Sequence, residues 1–150
     1  MIYLKIAPTY KADVLATKLK GAAKAAMKHQ KSEKSDLTLV ITDDSEIQEL
    51  NRTYLGNDAP TDVLSFSSGE IDPINGRLYL GDIIISYPRA RQQSEAAGHP
   101  VENEMQLLVV HGVLHLLGHD HADDVEKARM WQAQEEILNS IGCQLARLPG

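Results

Sequence analysis

Hydrophobic and polar positions follow two different periods along this chain, and the changes between them mark the predicted elements. Alternating or continuous apolar runs predict strands at about residues 1 to 7, 36 to 42, 63 to 66 and 79 to 86. Apolar positions at helical spacing predict helices at about 10 to 29, 45 to 54, 88 to 97, 101 to 117 and, from residue 123 or 124, to 141. Turn residues fill the stretches 56 to 60 and 67 to 78. Because no repeat or linker divides these elements, we predict one domain over residues 1 to 150, a small mixed sheet with helices packed on it.

The last part of the helix predicted at 101 to 117 opens a histidine-rich stretch, His-Gly-Val-Leu-His-Leu-Leu-Gly-His-Asp-His. His111 and His115 are four residues apart, so their imidazoles lie on one helical face, one turn apart. Gly118 favours the left-handed turn that ends a helix, and this turn can bring His121 toward the same ion. Three nitrogen ligands with a fourth position left for water are typical of a catalytic zinc site. We therefore predict that these three histidines bind one Zn²⁺ per chain, and that His119, whose side chain points differently, is not a ligand.

The same spacing matches the longer zincin pattern H-E-x-x-H-x-x-G-x-x-H at every position except one. The glutamate that serves as general base in those peptidases is replaced by Gly112. A peptidase needs a base beside the metal and a proton donor for a poor amine leaving group, and glycine supplies neither. A zincin-type metallopeptidase therefore stays an alternative only if another carboxylate reaches the metal.

Charge is divided unevenly along the chain. The net charge is −6, yet residues 1 to 34 contain eight lysines against two acids, a balance of +6. Lys20, Lys24, Lys28 and Lys31 are spaced to form one stripe on a helix, with Leu15, Leu19, Ala22 and Ala26 on the opposite, buried face. Such a stripe is typical of a solvated helix face, and it is also typical of a surface that attracts phosphates.

Targeting signals and membrane-length apolar runs are missing from the sequence. The single cysteine, Cys143, has no second cysteine to pair with, which fits a reducing cytoplasm, and we interpret it as a packing residue. We therefore predict a cytoplasmic protein with no membrane partner.

Several sequence blocks together resemble the bacterial YbeY family of rRNA maturation factors. The blocks are Leu50-Asn-Arg-Thr-Tyr54, Asp58-Ala-Pro-Thr-Asp-Val-Leu-Ser-Phe66, Leu80-Gly-Asp-Ile83, the histidine-rich stretch, and Glu126 with Met130. The resemblance implies an α+β fold, a four-stranded mixed sheet flanked by helices and related to zincin hydrolases. It implies a single-strand-specific, zinc-dependent endoribonuclease that hydrolyses phosphodiesters, with His111, His115 and His121 as the zinc ligands. The implied partners are the 3′ region of the 16S rRNA precursor and the small ribosomal subunit, in 16S rRNA maturation and ribosome quality control.

Two positions depart from that family's pattern. Leu55 stands where the family usually has a functional arginine directly after the tyrosine, and Ser67 stands where proline usually follows Ser-Phe. If an arginine must neutralise the scissile phosphate, Arg52, Arg89 or Arg91 has to replace it. Leu55 also keeps a second alternative open, a non-catalytic ribosome-assembly or RNA-binding factor that contains zinc.

Carboxylates near the histidines supply the remaining catalytic candidates, which are Glu104, Asp120, Asp62 and Asp82. Glu104 lies two helical turns before His111 on the same face, so we expect it to orient a ligand imidazole. Asp120 lies between two histidines. We predict Asp120, Glu104 and Arg52 as catalytic residues, while the sequence leaves the choice between water and an RNA 2′-hydroxyl as nucleophile open.

Overall fold

The computed structural model describes residues 1–145, which form four strands and five helices in one continuous arrangement. The strands are β1 (Ile2–Ile6), β2 (Asp36–Thr42), β3 (Val63–Ile71) and β4 (Leu78–Ser86). The helices are α1 (Ala16–His29), α2 (Asp44–Leu55), α3 (Tyr87–Ala97), α4 (Val101–Leu116) and α5 (Asp124–Ser140), and a short 3₁₀ turn spans Pro8–Tyr10.

The four strands form one mixed sheet in the order β1-β2-β4-β3. β1 pairs with β2 and β2 with β4 in parallel, whereas β3 runs antiparallel to β4 and forms one edge of the sheet. The predicted α+β fold with a four-stranded mixed sheet flanked by helices is therefore confirmed. A parallel pair of strands needs a long crossover connection. α1 lies in the segment that connects β1 to β2, and α2 lies in the segment between β2 and β4.

The run of isoleucines in β4 is buried on both sides because helices cover both faces of the sheet. Ile83 and Ile85 belong to the main core, to which α1, α4 and α5 contribute. Ile84 belongs to a smaller cluster on the other face, together with Ile47 of α2 and Leu64 of β3. This burial explains why the strand is a continuous apolar run, and α2 and α4 lie on opposite faces of the sheet.

Two predicted boundaries differ from the structure. The first long helix begins at Ala16 rather than near residue 10, because Pro8–Tyr10 forms a separate 3₁₀ turn; Leu15 precedes the helix and is 47% exposed, so its predicted burial is wrong. β3 continues to Ile71 rather than ending at residue 66. The turn signal at Gly69 lies in an irregularity of the pairing between β3 and β4, and residues 72–77 form the turn itself.

The lone cysteine is part of the main core, as predicted. Cys143 is buried, and its thiol lies 3.6 Å from the carbonyl oxygen of Asn103. Burial raises the pKa of Cys143 to about 11, so at neutral pH the residue remains an unreactive thiol.

Among residues 1–145, every helix is too short or too polar to cross a bilayer.

Candidate metal centre

The three predicted ligand histidines come together at the C-terminal end of α4. One ring nitrogen of each of His111, His115 and His121 lies within 4.8 Å of the other two. The two Nε2 atoms of His111 and His115 are 3.0 Å apart. Gly118 adopts a φ of +98°, a left-handed conformation that ends the helix and returns the chain so that His121 faces the other two rings.

A glutamine on α5 fixes the orientation of the first imidazole. His111 Nδ1 lies 2.7 Å from Oε1 of Gln134, which is buried. Because a carbonyl oxygen only accepts, the Nδ1–H donates this bond and the lone pair of His111 is on Nε2, toward His115.

The surroundings of His111 and His115 favour the neutral imidazole, which is the form that binds metals. Burial is the main cause that lowers the pKa of His111, and the neighbouring His115 adds to it. Burial also lowers the pKa of His115, followed by the effect of His121. Three imidazole nitrogens converging on one point fit a zinc ion, and one side of this cluster is open.

That open side faces a cleft of about 440 Å³ between the histidines and the edge strand β3. The residues that line the cleft besides the histidines are Thr61, Asp62, Val63, Leu64, Ser65 and Ser67. Asp62 Oδ1 accepts hydrogen bonds from the backbone N–H of Val63 at 2.8 Å and from the hydroxyl of Thr61 at 3.3 Å. The cleft therefore combines an open metal site with a carboxylate of fixed orientation.

The glycine that replaces the zincin glutamate has a steric reason. A Cβ atom at Gly112 would lie 2.7 Å from Cγ2 of Ile83 in β4, so α4 packs against the sheet too closely for any side chain there. The Oγ of Ser65 also lies 3.5 Å from the carbonyl oxygen of Gly112, which brings β3 next to the histidines. Position 112 points into the core, and a base must come from another element.

The predicted catalytic residues differ in where the structure places them. Asp120 is exposed beside the site, and its Oδ1 accepts a hydrogen bond from the backbone N–H of His121 at 2.7 Å. Glu104 does not reach the ligand imidazoles: its carboxylate lies 2.7 Å from Nε2 of His99, and both side chains are buried. The expected role of Glu104 in orienting a ligand is therefore wrong, because two helical turns separate it from His111 by about 10 Å.

The arginines proposed to replace the family's missing arginine also lie away from the histidines. Arg52 is exposed on α2, across the sheet from α4, and is not among the residues that line the cleft. The guanidinium of Arg89 lies 3.3 Å from the carboxylate of Asp44, and Arg91 lies beside Glu95 of its own helix. Leu55, at the end of α2, is 58% exposed.

The remaining candidates have other partners. Nε2 of His119 lies 2.9 Å from Oε1 of Gln30, outside the cluster of three histidines. Asp82 accepts a short hydrogen bond from the hydroxyl of Tyr79. Phe66 packs against the smaller core cluster.

Two residues of α5 near the site were not predicted for it. Gln134 orients His111, and the ring of Trp131 lies 5.9 Å from that of His111 and 6.0 Å from that of His121, centroid to centroid. The sequence carries no signal that links Gln134 or Trp131 to the histidines. Only the packing of α5 on α4 makes this connection.

Comparisons with known proteins show the family of this chain and agree with its fold. A family model described as endoribonuclease YbeY matches residues 6–142. Proteins named endoribonuclease YbeY are 47% identical in Halalkalibacterium halodurans, over 71% of this chain and 72% of that protein, and 40% identical in Roseiflexus castenholzii, over 95% and 93%. The solution structure of TM1509 from Thermotoga maritima has the same fold, with a TM-score of 0.60 and 23% identity over 95% of this chain and 92% of that one. The chain belongs to the endoribonuclease YbeY family.

Proposed function

We propose that this protein is a zinc-dependent, single-strand-specific endoribonuclease that takes part in maturation of the 3′ end of 16S rRNA and in ribosome quality control. The observation that carries the proposal is the cluster of three imidazoles, open on one side to a cleft that also contains a carboxylate. Family membership supports the substrate class, because the relatives are named endoribonucleases. The ribosomal substrate and the small ribosomal subunit as partner come from the resemblance of the sequence blocks.

Cleavage of a phosphodiester requires an activated nucleophile, stabilisation of charge on the phosphoryl oxygens and help for the leaving oxygen. Zinc bound by His111, His115 and His121 would supply a Lewis acid that polarises the phosphoryl oxygen and acidifies water. Burial lowers the pKa of His111 and of His115, which favours their neutral form, and Gln134 keeps the lone pair of His111 on the nitrogen that faces His115.

Asp62 is the group that takes the proton from the nucleophile in this proposal, whether that is water or an RNA 2′-hydroxyl. It lines the same cleft as the histidines, and both of its hydrogen bonds within the described residues go to Oδ1. Oδ2 is then the oxygen that accepts a proton. Asp120 fixes the turn before His121 through the backbone, so its role is to position that histidine.

A non-catalytic, zinc-containing RNA-binding or assembly factor is the second candidate, and Leu55 is the observation that favours it. The lining of the cleft contains no lysine or arginine within the described residues. A phosphate bound there would depend on the metal for most of its charge neutralisation.

These two candidates, and the zincin-type peptidase, are separated by incubating metal-analysed protein with a labelled single-stranded RNA and, in parallel, with casein. We expect cleavage of the RNA that stops on chelation, returns with zinc and is absent in His115→Ala. Asp62→Asn should retain zinc but lose about 100-fold or more in kcat, because a general base contributes roughly 10²–10⁴ in rate. Asp72→Asn, in the exposed turn between β3 and β4, is the matched control and should cleave normally.

Three outcomes would contradict the proposal. RNA that binds but stays intact, with one zinc per chain, would favour the assembly factor and make Leu55→Arg the next variant to test. Cleavage of casein but not RNA would favour the zincin-type peptidase. Full activity of Asp62→Asn would remove Asp62 as the base while leaving the nuclease assignment intact.

A further inference from the structure

The outer side of α1 is a positively charged surface without acidic neighbours in sequence. Lys20, Lys24 and Lys28 are exposed on this helix, and we call these three residues the lysine face. The opposite side of α1 is buried in the main core through Leu19, Ala22, Ala23, Ala26 and Met27. Residues 14 to 32 contain no aspartate or glutamate.

The lysine face is not neutralised by ion pairs within the fold. Among residues 1–145, the salt bridges join the N-terminal amine, histidines and arginines to carboxylates, and no lysine takes part in one. Pairing with acids is the usual way in which a surface lysine is balanced internally. The three ammonium groups therefore remain available to an external anion.

The C-terminal end of α1 adjoins the turn that carries the third histidine. Gln30, directly after α1, lies 2.9 Å from His119 through their side chains, and His119 is two residues before His121. From Lys20 to Lys28 the helix rises by about 12 Å. The lysine face thus runs as a row of positive charge toward the end of the molecule that contains the metal site.

The rest of the chain is acidic on balance. Residues beyond 34 have seven basic against nineteen acidic side chains, a balance of −12. The cleft itself contributes Asp62 and no cation within the described residues. The negative charge of a polyanion that enters the cleft must be neutralised by residues outside it. Positive charge is concentrated in residues 1 to 34, whose balance is +6.

We propose that the lysine face binds the sugar-phosphate backbone of single-stranded RNA at nucleotides outside the cleft. This inference rests on the proposed nuclease function and adds a second contact region to it. Phosphate contacts of this kind provide affinity and position without reading sequence. Substrates long enough to reach from the cleft to α1 gain affinity from it, and substrates of a few nucleotides do not.

The test compares two triple variants that remove the same charge. Lys20→Gln/Lys24→Gln/Lys28→Gln removes the lysine face, whereas Lys5→Gln/Lys11→Gln/Lys34→Gln removes three exposed lysines that lie outside α1. Glutamine and lysine have similar helix propensities, so α1 should keep its structure. Affinity for a labelled 20-nucleotide single strand is measured by fluorescence anisotropy across a salt series on chelated protein. KM and kcat are then measured with zinc for the 20-mer and for a 4-mer.

We expect the lysine-face variant to bind the 20-mer about 10- to 100-fold more weakly near 0.1 M salt. The slope of log K against log salt should become shallower by about 2, since each phosphate contact with a single strand contributes roughly 0.7. KM for the 20-mer should rise, with kcat and all 4-mer kinetics unchanged. The control variant should stay close to the unaltered protein.

Two results would overturn the proposal. An unchanged affinity and slope would mean that the lysine face is only solvated, and equal losses in both triple variants would mean that net charge alone attracts RNA. Neither result affects cleavage of the 4-mer, so failure of the lysine face is distinguishable from failure of the nuclease assignment. If the unaltered protein cuts neither substrate, the anisotropy series still decides whether α1 binds RNA.

Discussion

A histidine in a hydrogen bond of the same length lies near each end of α4: His99 just before the helix and His111 within its last two turns, and the two environments differ in burial and in partner. At the N-terminal end, His99 lies 2.7 Å from the carboxylate of Glu104, and the side chains are only 3% and 8% exposed. At the C-terminal end, His111 lies 2.7 Å from the amide oxygen of Gln134, and its other nitrogen faces His115 and the cleft.

Burial and the hydrogen-bond partner, rather than residue type, therefore distinguish a structural histidine from a metal ligand. A buried carboxylate satisfies the imidazole of His99 within the fold, and His99 is not among the described residues that line the cleft beside the ligand histidines. A neutral amide orients an imidazole without consuming the nitrogen that a metal requires.

The largest effect is expected at the closed pair. Glu104→Ala removes the carboxylate beside His99 and leaves space in a buried region, so the free energy of unfolding should fall by about 2–4 kcal/mol. Zinc content should stay at one per chain in folded protein, because the metal cluster does not include Glu104. Denaturant titration and metal analysis of the same preparation measure both quantities.

Glu95→Ala is the matched control, since Glu95 is an exposed carboxylate that pairs with Arg91. Its effect on the free energy of unfolding should be within about 0.5 kcal/mol. A Glu104→Ala protein that unfolds normally but has lost zinc would reverse the assignment and restore Glu104 to the metal site.

A smaller effect is expected at the open end. Gln134→Leu removes the acceptor for the Nδ1–H of His111 and should weaken zinc binding by about 10- to 100-fold. Gln134→Glu restores an acceptor at the same place and should recover most of the affinity. Competition with a chromophoric chelator measures the dissociation constants, and equal affinities for all three proteins would show that Gln134 has no part in orienting the ligand.

The sequence could predict contacts between site residues that are close together along the chain, and not contacts between residues of distant elements. The spacing of His111, His115 and the turn at Gly118 lies within eleven residues, so helix geometry alone brought the ligands together. Gln134 approaches from α5, and no periodicity within one element reports such a contact. Asp62 was among the candidate carboxylates, but only the position of β3, which begins directly after it, places it in the cleft. Glu104 was chosen because it shares a helical face with His111, but a shared face does not imply contact over two turns.

The fold shows the same limit. Strand and helix types followed from apolar periodicity, because burial of one or both faces fixes the pattern. The far end of β3 could not be predicted, since its turn-like residues are exposed and are in strand conformation only because β4 pairs with them. The start of α1 was predicted too early for a related reason: the residues before Ala16 have helical spacing, yet Leu15 is not packed against the core.

The assignment of the metal site to His111, His115 and His121, and not to the neighbouring His119, rests on the convergence of their ring nitrogens. Its most direct test is the zinc content of His115→Ala and His119→Ala, purified together with the unaltered protein and analysed by mass spectrometry. We predict one zinc per chain in the unaltered protein and in His119→Ala, with zinc lost from His115→Ala. Equal zinc content in the two variants would contradict it.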